Sequence, residues 1–276
     1  MIYTLTLNPA LDVYSTLEEL HMGRTNRSTE QFIKIGGKGI NVSYALKALG
    51  IPSIPIVVLG GFTGEYIKSI LNRDFTPVII ENHQITRINF KIKEKERETE
   101  VNAENSLGES SGSKLKQFIL ELKKEDLLIV SGNGTYEMYH NLLHQVSCQL
   151  ILDVQGKLLK ELVPLNPILV KPNQDELKEV YEDRTHAYDF ILKHCPIILH
   201  TLGKEGAILK TREVELYLPA QQIHLTSSVG CGDAFLAGFL KVYLEDNRLE
   251  DALRFAQKCA SYRAETNEFY SLKKIS

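Results

Sequence analysis

The sequence predicts a layered α/β fold, a sandwich of helices over both faces of a mostly parallel sheet, with a small β-sheet outside it as a lid. Three observations carry this. Short β-rich apolar runs recur with helical patterns between them, most runs end in a glycine or polar cluster, and two stretches alternate polar and apolar residues without a helix. Alternation of strand and helix argues for a parallel sheet with right-handed crossovers, buried on both faces.

In chain order, "IYTLTL" is the first strand and runs into "TLNPALD". Residues of about 12 to 34 form the first lid excursion, after which "GGKGIN" opens an amphipathic helix, "VSYALKALG". "SIPIVVLG" is a strand ending in "LGGFTG". Residues of about 84 to 102, with "TRINFKIKEKERETEVN", form the second excursion and are expected to make a small antiparallel sheet with the first. An amphipathic helix spans Lys114 to Lys124, and "DLLIVSG", "LILDV", "ILVKPN" and "IILHTLG" follow as strands. Their ends carry "SGNG", "DVQG", "KPNQDE" and "TLGKEG". No repeat or low-complexity linker interrupts the chain, so residues 1–276 are expected to form one domain with two lid excursions.

At 276 residues, 43% hydrophobic and 24% charged, the chain is long enough for one large core. A net charge of −3 without a basic block gives no reason to expect nucleic acid or a membrane surface as partner, which leaves small molecules. The start lacks signal-peptide features and no apolar run reaches transmembrane length, so a cytoplasmic protein is expected. Cys148, Cys195, Cys231 and Cys259 are far apart with no CxxC pair, which argues against a zinc site or a disulfide framework.

In open parallel sheets the ligand crevice lies beyond the carboxyl ends of the strands, where the polar clusters should meet. In "SSVGCGDAFLAGF", Gly230 and Gly232 allow a turn with exposed N–H groups before a helix of small residues, which makes an anion site suited to phosphate. Asp233 is awkward as an anion binder. It fits either a general base beside a transferring phosphoryl group or an ordinary helix N-cap. "GGKGIN" is neither a Walker A loop nor GxGxxG, and reads either as a site for a phosphate or sugar hydroxyls or as a plain glycine turn. In "KPNQDEL", Asn173 and Glu176 would cap a helix at a strand end, and could equally organise hydrated magnesium around a triphosphate.

Taken in order, "TLNPALD", "GGKGIN", "TRIN", "KPNQDEL", "LGKEGA" and "VGCGDAFLAGF" resemble the ribokinase-like (PfkB) carbohydrate kinases, in particular their sugar-phosphate kinase branch. The resemblance covers nearly the whole chain and implies the ribokinase-like three-layer α/β/α sandwich, with ATP and Mg²⁺ as cofactors. It implies that Asp233 is the catalytic base and that Gly230, Cys231 and Gly232 form its anion hole. Asp12 and Asn41 would contact sugar hydroxyls, and Gly36, Gly37, Lys38 and Arg87 would surround the sugar and its existing phosphate. Arg24 and Arg27, in the lid, would add positive charge. Lys171, Asn173 and Glu176 would serve the triphosphate, with Glu176 holding the metal through water. Thr201, Gly203 and Gly206 match the nucleotide loop, Asn267 would border the adenine, and a homodimer through the lid is implied.

The chain departs from the family pattern in places. Asn133 of "SGNG" stands where a substrate-holding serine is usual, "DVQG" replaces D-[ST]-S-G, and "TNEFYSLKKIS" lacks the usual glycine near the adenine. The activity implied first is phosphorylation of fructose 1-phosphate at its 6-hydroxyl. Tagatose 6-phosphate phosphorylation and a catalytically weak sugar-phosphate-binding regulator are the alternatives.

Overall fold

A computed structural model describes residues 1–95, 97–104, 107–132, 134–266 and 268–275, with Tyr270 and Ser271 described by backbone alone. The chain enters as β1 (Ile2–Thr6) and leaves the core for β2 (Ala10–Leu17) and β3 (Glu30–Gly36). It returns as α1 (Lys38–Ala48), β4 (Ile54–Leu59), α2 (Gly61–Asp74) and β5 (Val78–Glu81), then leaves again for β6 (Arg87–Glu94) and β7 (Arg97–Asn102). The second half runs α3 (Glu109–Leu120), β8 (Leu127–Gly132), α4 (Tyr136–Leu143), β9 (Gln149–Val154), α5 (Gly156–Leu162), β10 (Leu169–Val170), α6 (Gln174–Val180), α7 (Arg184–Leu192) and β11 (Ile198–Thr201). An edge hairpin of β12 (Ala207–Lys210) and β13 (Glu215–Leu218) precedes the last two helices, α8 (Cys231–Asp246) and α9 (Leu249–Thr266).

Among the described residues the main sheet has the order β13-β12-β11-β10-β9-β8-β1-β4-β5. It is parallel from β11 through β5, and only the pairings of β12 with β11 and with β13 are antiparallel. Alternate residues of each buried strand point to opposite faces. Leu128, Val130, Leu150 and Leu152 therefore pack with Leu115 of α3, Tyr139 of α4, Leu158 of α5, Leu177 of α6 and Ile191 of α7. Ile129 and Ile151 pack on the other face with Val42 of α1, Phe235 and Phe239 of α8 and Ala256 of α9. Val57 and Leu59 continue that second face under α2, against Ile67 and Leu71. This is the expected three-layer sandwich. The short strands β5, β12 and β13 were not legible, because runs of four residues carry too little periodicity to separate strand from helix or turn.

The lid is a second sheet of order β3-β2-β6-β7. Its outer pairs are antiparallel, as expected, but its centre is a parallel pair, β2 with β6. The chain forms it in two separate excursions and crosses the core between them, so β6 enters beside β2 in the same direction. Register puts Asp12 beside Lys34 and Asn89 on one face, and Val13 beside Ile33 and Phe90, with Val101 next, on the other. Among the described residues no helix is long and apolar enough to cross a membrane.

Candidate active site

The helix α8 begins at Cys231, with Gly230 as its N-cap at φ 79°. A β-carbon at Gly230 would stand 2.6 Å from Cζ of Phe269, so both backbone conformation and space require glycine. Asp233 is therefore the third helical residue, which removes the N-cap reading of its side chain. The N–H of Cys231 turns back to the carbonyl of Ser228 at 3.3 Å, whereas helix geometry leaves those of Gly232 and Asp233 without intrahelical acceptors. These two, rather than Cys231, supply the donors at the positive end of the helix.

Asp233 is only 5% exposed, and its Oδ2 accepts a hydrogen bond of 2.9 Å from Nδ2 of Asn41 on α1. Burial, and after it the carboxylate of Asp153, push its pKa up to about 6, against the opposing pull of Lys38, the Asn41 hydrogen bond and Lys171. A carboxyl poised there can take a proton near neutral pH.

Asp153 is the penultimate residue of β9 and is 1% exposed. Its Oδ1 pairs with Nζ of Lys171 at 3.0 Å and Nζ of Lys38 at 3.6 Å. Burial alone would raise its pKa, but Lys171 and then Lys38 outweigh that and hold it below the usual carboxylate range. Lys38 also reaches Oε1 of Glu176 at 3.7 Å. Glu176 and Asn173 form a full capping box on α6: Asn173 Oδ1 accepts from the Glu176 N–H at 2.8 Å, and Glu176 Oε2 accepts from the Asn173 N–H at 2.9 Å. That use leaves the outer oxygen of Glu176 facing the cavity.

Two cavities meet here. One, about 220 Å³, is lined by Thr6, Asn8, Lys38, Arg87, Ser131 and Gln155 among others. The other, about 380 Å³, is lined by Asn41, Asp153, Lys171, Asn173, Thr201 and Asp233 with the Gly230 turn. Lys38 and Glu176 line both. Arg87 is fixed in the first cavity by its own backbone bonds, donating from Nη1 to Ala103 O and from Nη2 to Asn8 O at 3.1 Å each. Nearby, Asn89 donates to Asp12 Oδ1 at 2.8 Å, and the other Asp12 oxygen lies where a β-carbon of Gly36 would stand.

The whole length of the chain has relatives of similar architecture. It is 33% identical to the 1-phosphofructokinase of Borreliella burgdorferi, over 100% of this chain and 96% of that one. It is 28% identical to the D-tagatose-1-phosphate kinase of Bacillus licheniformis, over 96% and 92%. The phosphofructokinase-2 of Escherichia coli, solved in complex with fructose-6-phosphate, superposes with a TM-score of 0.86 at 25% identity, covering 99% of this chain and 97% of that one. The family model described as pfkB family carbohydrate kinase matches residues 7–271. The chain belongs to the pfkB family of carbohydrate kinases. It is accordingly a phosphotransferase acting on a sugar hydroxyl, in a family that uses ATP as phosphate donor.

Within this pfkB kinase, the structure brings together Gly37, Lys38, Asn41, Arg87, Lys171, Asn173, Glu176, Thr201, Gly230, Gly232 and Asp233 as cavity-lining residues. Asp12 and Gly36 stand beside them on the lid. Other expected residues stand apart. Arg24, Arg27 and Gly203 are exposed and line neither cavity, and Gly206, which is buried tightly against the backbone around Pro219, lines neither. Asn133 and Asn267 lie outside the described residues. Sequence reasoning did not single out Asp153, Thr6, Asn8, Ser131 or Gln155 as site residues. All five fall within the flagged strand-end clusters "TLNPALD", "SGNG" and "DVQG", and Asp153 is the only acid in "LILDV".

Proposed function

We propose that this kinase phosphorylates the 6-hydroxyl of fructose 1-phosphate, giving fructose 1,6-bisphosphate and ADP. The observation that carries the reading is the pair of cavities sharing Lys38 and Glu176, with Arg87 on the wall of one and Asp233 with the α8 N-terminus on the wall of the other. A phosphorylated acceptor in the first would have its dianion fixed by Arg87 and Lys38, and its free hydroxyl presented toward the second. Asp233 takes the hydroxyl proton as the oxygen attacks the γ-phosphorus of ATP. The bond from that phosphorus to the bridging oxygen breaks, ADP leaves, and the N–H groups of Gly232 and Asp233 stabilise charge on the transferring oxygens.

Asp153 keeps one buried oxygen, Oδ2, beyond its pairing with Lys171 and Lys38 through Oδ1, and one oxygen of Glu176 faces the same cavity, so the donor set suits the waters of hydrated Mg²⁺. Asp153, Asn173 and Glu176 would hold it, and bound Mg²⁺ would supply positive charge to the triphosphate. Residues 1–276 act as one domain in this reading, with the lid closing over the sugar and excluding water.

The test is ADP release with Mg²⁺-ATP against fructose 1-phosphate, D-tagatose 1-phosphate, tagatose 6-phosphate and fructose 6-phosphate. Fructose 1-phosphate is expected to give the highest kcat/KM. Preference for a 6-phosphate would overturn the assignment of the acceptor, and silence on all four would favour the regulator reading.

We also propose a homodimer through the lid. Ile33, Phe90 and Val101 are 49%, 47% and 55% exposed in one cross-strand row with Val13, on the face opposite Asp12. Light scattering is expected to give twice the chain mass, and Phe90→Lys the single mass.

A further inference from the structure

The turn that opens α8 rests on a buried cation. Arg263, near the end of α9, is 5% exposed, and its guanidinium lies 4.6 Å from the ring centroid of Phe269. Gly230 is packed against both groups: a β-carbon there would meet Phe269 Cζ, and Nε and Nη2 of Arg263 at 3.3 Å each. The segment leading to the turn is bound to the same end of α9. The N–H groups of Thr226 and Ser227 donate to the carbonyl of Ala264 at 2.9 and 3.1 Å, and the Thr226 hydroxyl donates to that of Glu265 at 2.7 Å. Arg263 lines neither cavity, so it stands behind the donors rather than among them.

A buried guanidinium is costly unless anions compensate it, and it stays protonated at any working pH. The ionisable groups that favour its charge against burial are Cys231, Asp233, Tyr14 and Glu268. Two of these belong to the first turn of α8. Phosphoryl transfer brings further negative charge to that turn. We propose that Arg263 is a positioning residue for phosphoryl transfer, holding the Gly230 turn in shape through Phe269 and keeping a fixed positive charge behind the N–H groups. The inference rests on the reading of this turn as the anion hole. It also gives a function to the carboxyl-terminal segment in which the sequence departs from the family pattern.

Full-length wild type, Asp233→Asn, Arg263→Met, Arg263→Lys and Arg263→Ala are assayed with Mg²⁺-ATP and fructose 1-phosphate, with Tm measured alongside. Arg263→Met is expected to lower kcat about 10- to 100-fold, below the full effect of removing a direct oxyanion donor. KM for the sugar and the affinity for ADP, which lacks the transferred group, should stay within about twofold. Arg263→Lys should recover part of kcat, and millimolar guanidinium should restore part of the turnover of Arg263→Ala. If Asp233→Asn is inactive while Arg263→Met keeps kcat, or if Arg263→Ala loses Tm and is not rescued, the positioning role falls and the site reading stands. Normal turnover by Asp233→Asn, or none by wild type, would overturn both.

Discussion

Asp233→Asn is expected to lower kcat by about 10²- to 10⁴-fold while raising thermal stability, because the carboxylate proposed to accept the hydroxyl proton is also buried beside another acid. Its folded pKa, about 6, stands above the ordinary value of 3.8, so the folded state holds the proton more tightly than the unfolded chain. Stability from this group is present below the ordinary value and is lost as pH rises through about 6. The asparagine variant does not suffer that loss. Its Tm should therefore match wild type near pH 4 and exceed it by a few degrees above pH 7. Turnover of the wild type should run the opposite way, rising with pH through the same region as Asp233 ionises. Scanning calorimetry and a kcat–pH profile on the same preparations check both limbs. An asparagine variant with near-normal kcat would remove Asp233 from the role of base, and one with an unchanged Tm at pH 7 would remove the stored cost.

Lys171→Met should cause the largest loss of stability. Lys171 is 5% exposed and Asp153 is 1% exposed, at 3.0 Å from one another. Removing the lysine leaves the buried carboxylate with Lys38 at 3.6 Å, a partner whose side chain is 40% exposed and so better screened by solvent. Breaking a buried pair from one side typically costs about 3–5 kcal/mol, because a charge remains without compensation. For a chain of this size that is on the order of 10 °C in Tm. The double variant Asp153→Asn/Lys171→Met should recover most of that loss, although not the activity. Additive losses in that cycle would show that the two groups do not interact.

Much of the fold is written in local pattern. The apolar runs at residues 2–7, 126–132 and 149–154 are long enough to show that they are buried on both faces, and their polar ends mark the edge where the two cavities lie. The lid was visible as alternation, but its central parallel pair was not, since pairing between residues 10–17 and 87–94 depends on how the core between them folds. In the site, glycine-rich turns before helices declare themselves within a few residues, and so does the Asn173–Glu176 capping box. Asp153 and Arg263 do not. The acid acquires its meaning from Lys171 on the neighbouring strand and Lys38 on a distant helix, and the arginine from a glycine 33 positions away in the chain. Long-range pairing of charges leaves no periodic trace.

The alternation along β2 has a consequence for how this kinase can change over evolutionary time. Within one strand of eight residues, Asp12 lies on the face with Lys34 and Asn89, and Val13 on the opposite face with Ile33 and Phe90. An insertion or deletion of a single residue would exchange the two faces, placing a carboxylate on the apolar surface and a valine where Asp12 now meets Asn89. Such changes in length are therefore closed to this strand, and its two surfaces can diverge only by substitution in place. If the proposed sugar site and the proposed dimer face both hold, a lineage that alters its acceptor sugar and one that alters its self-association must work within the same eight positions.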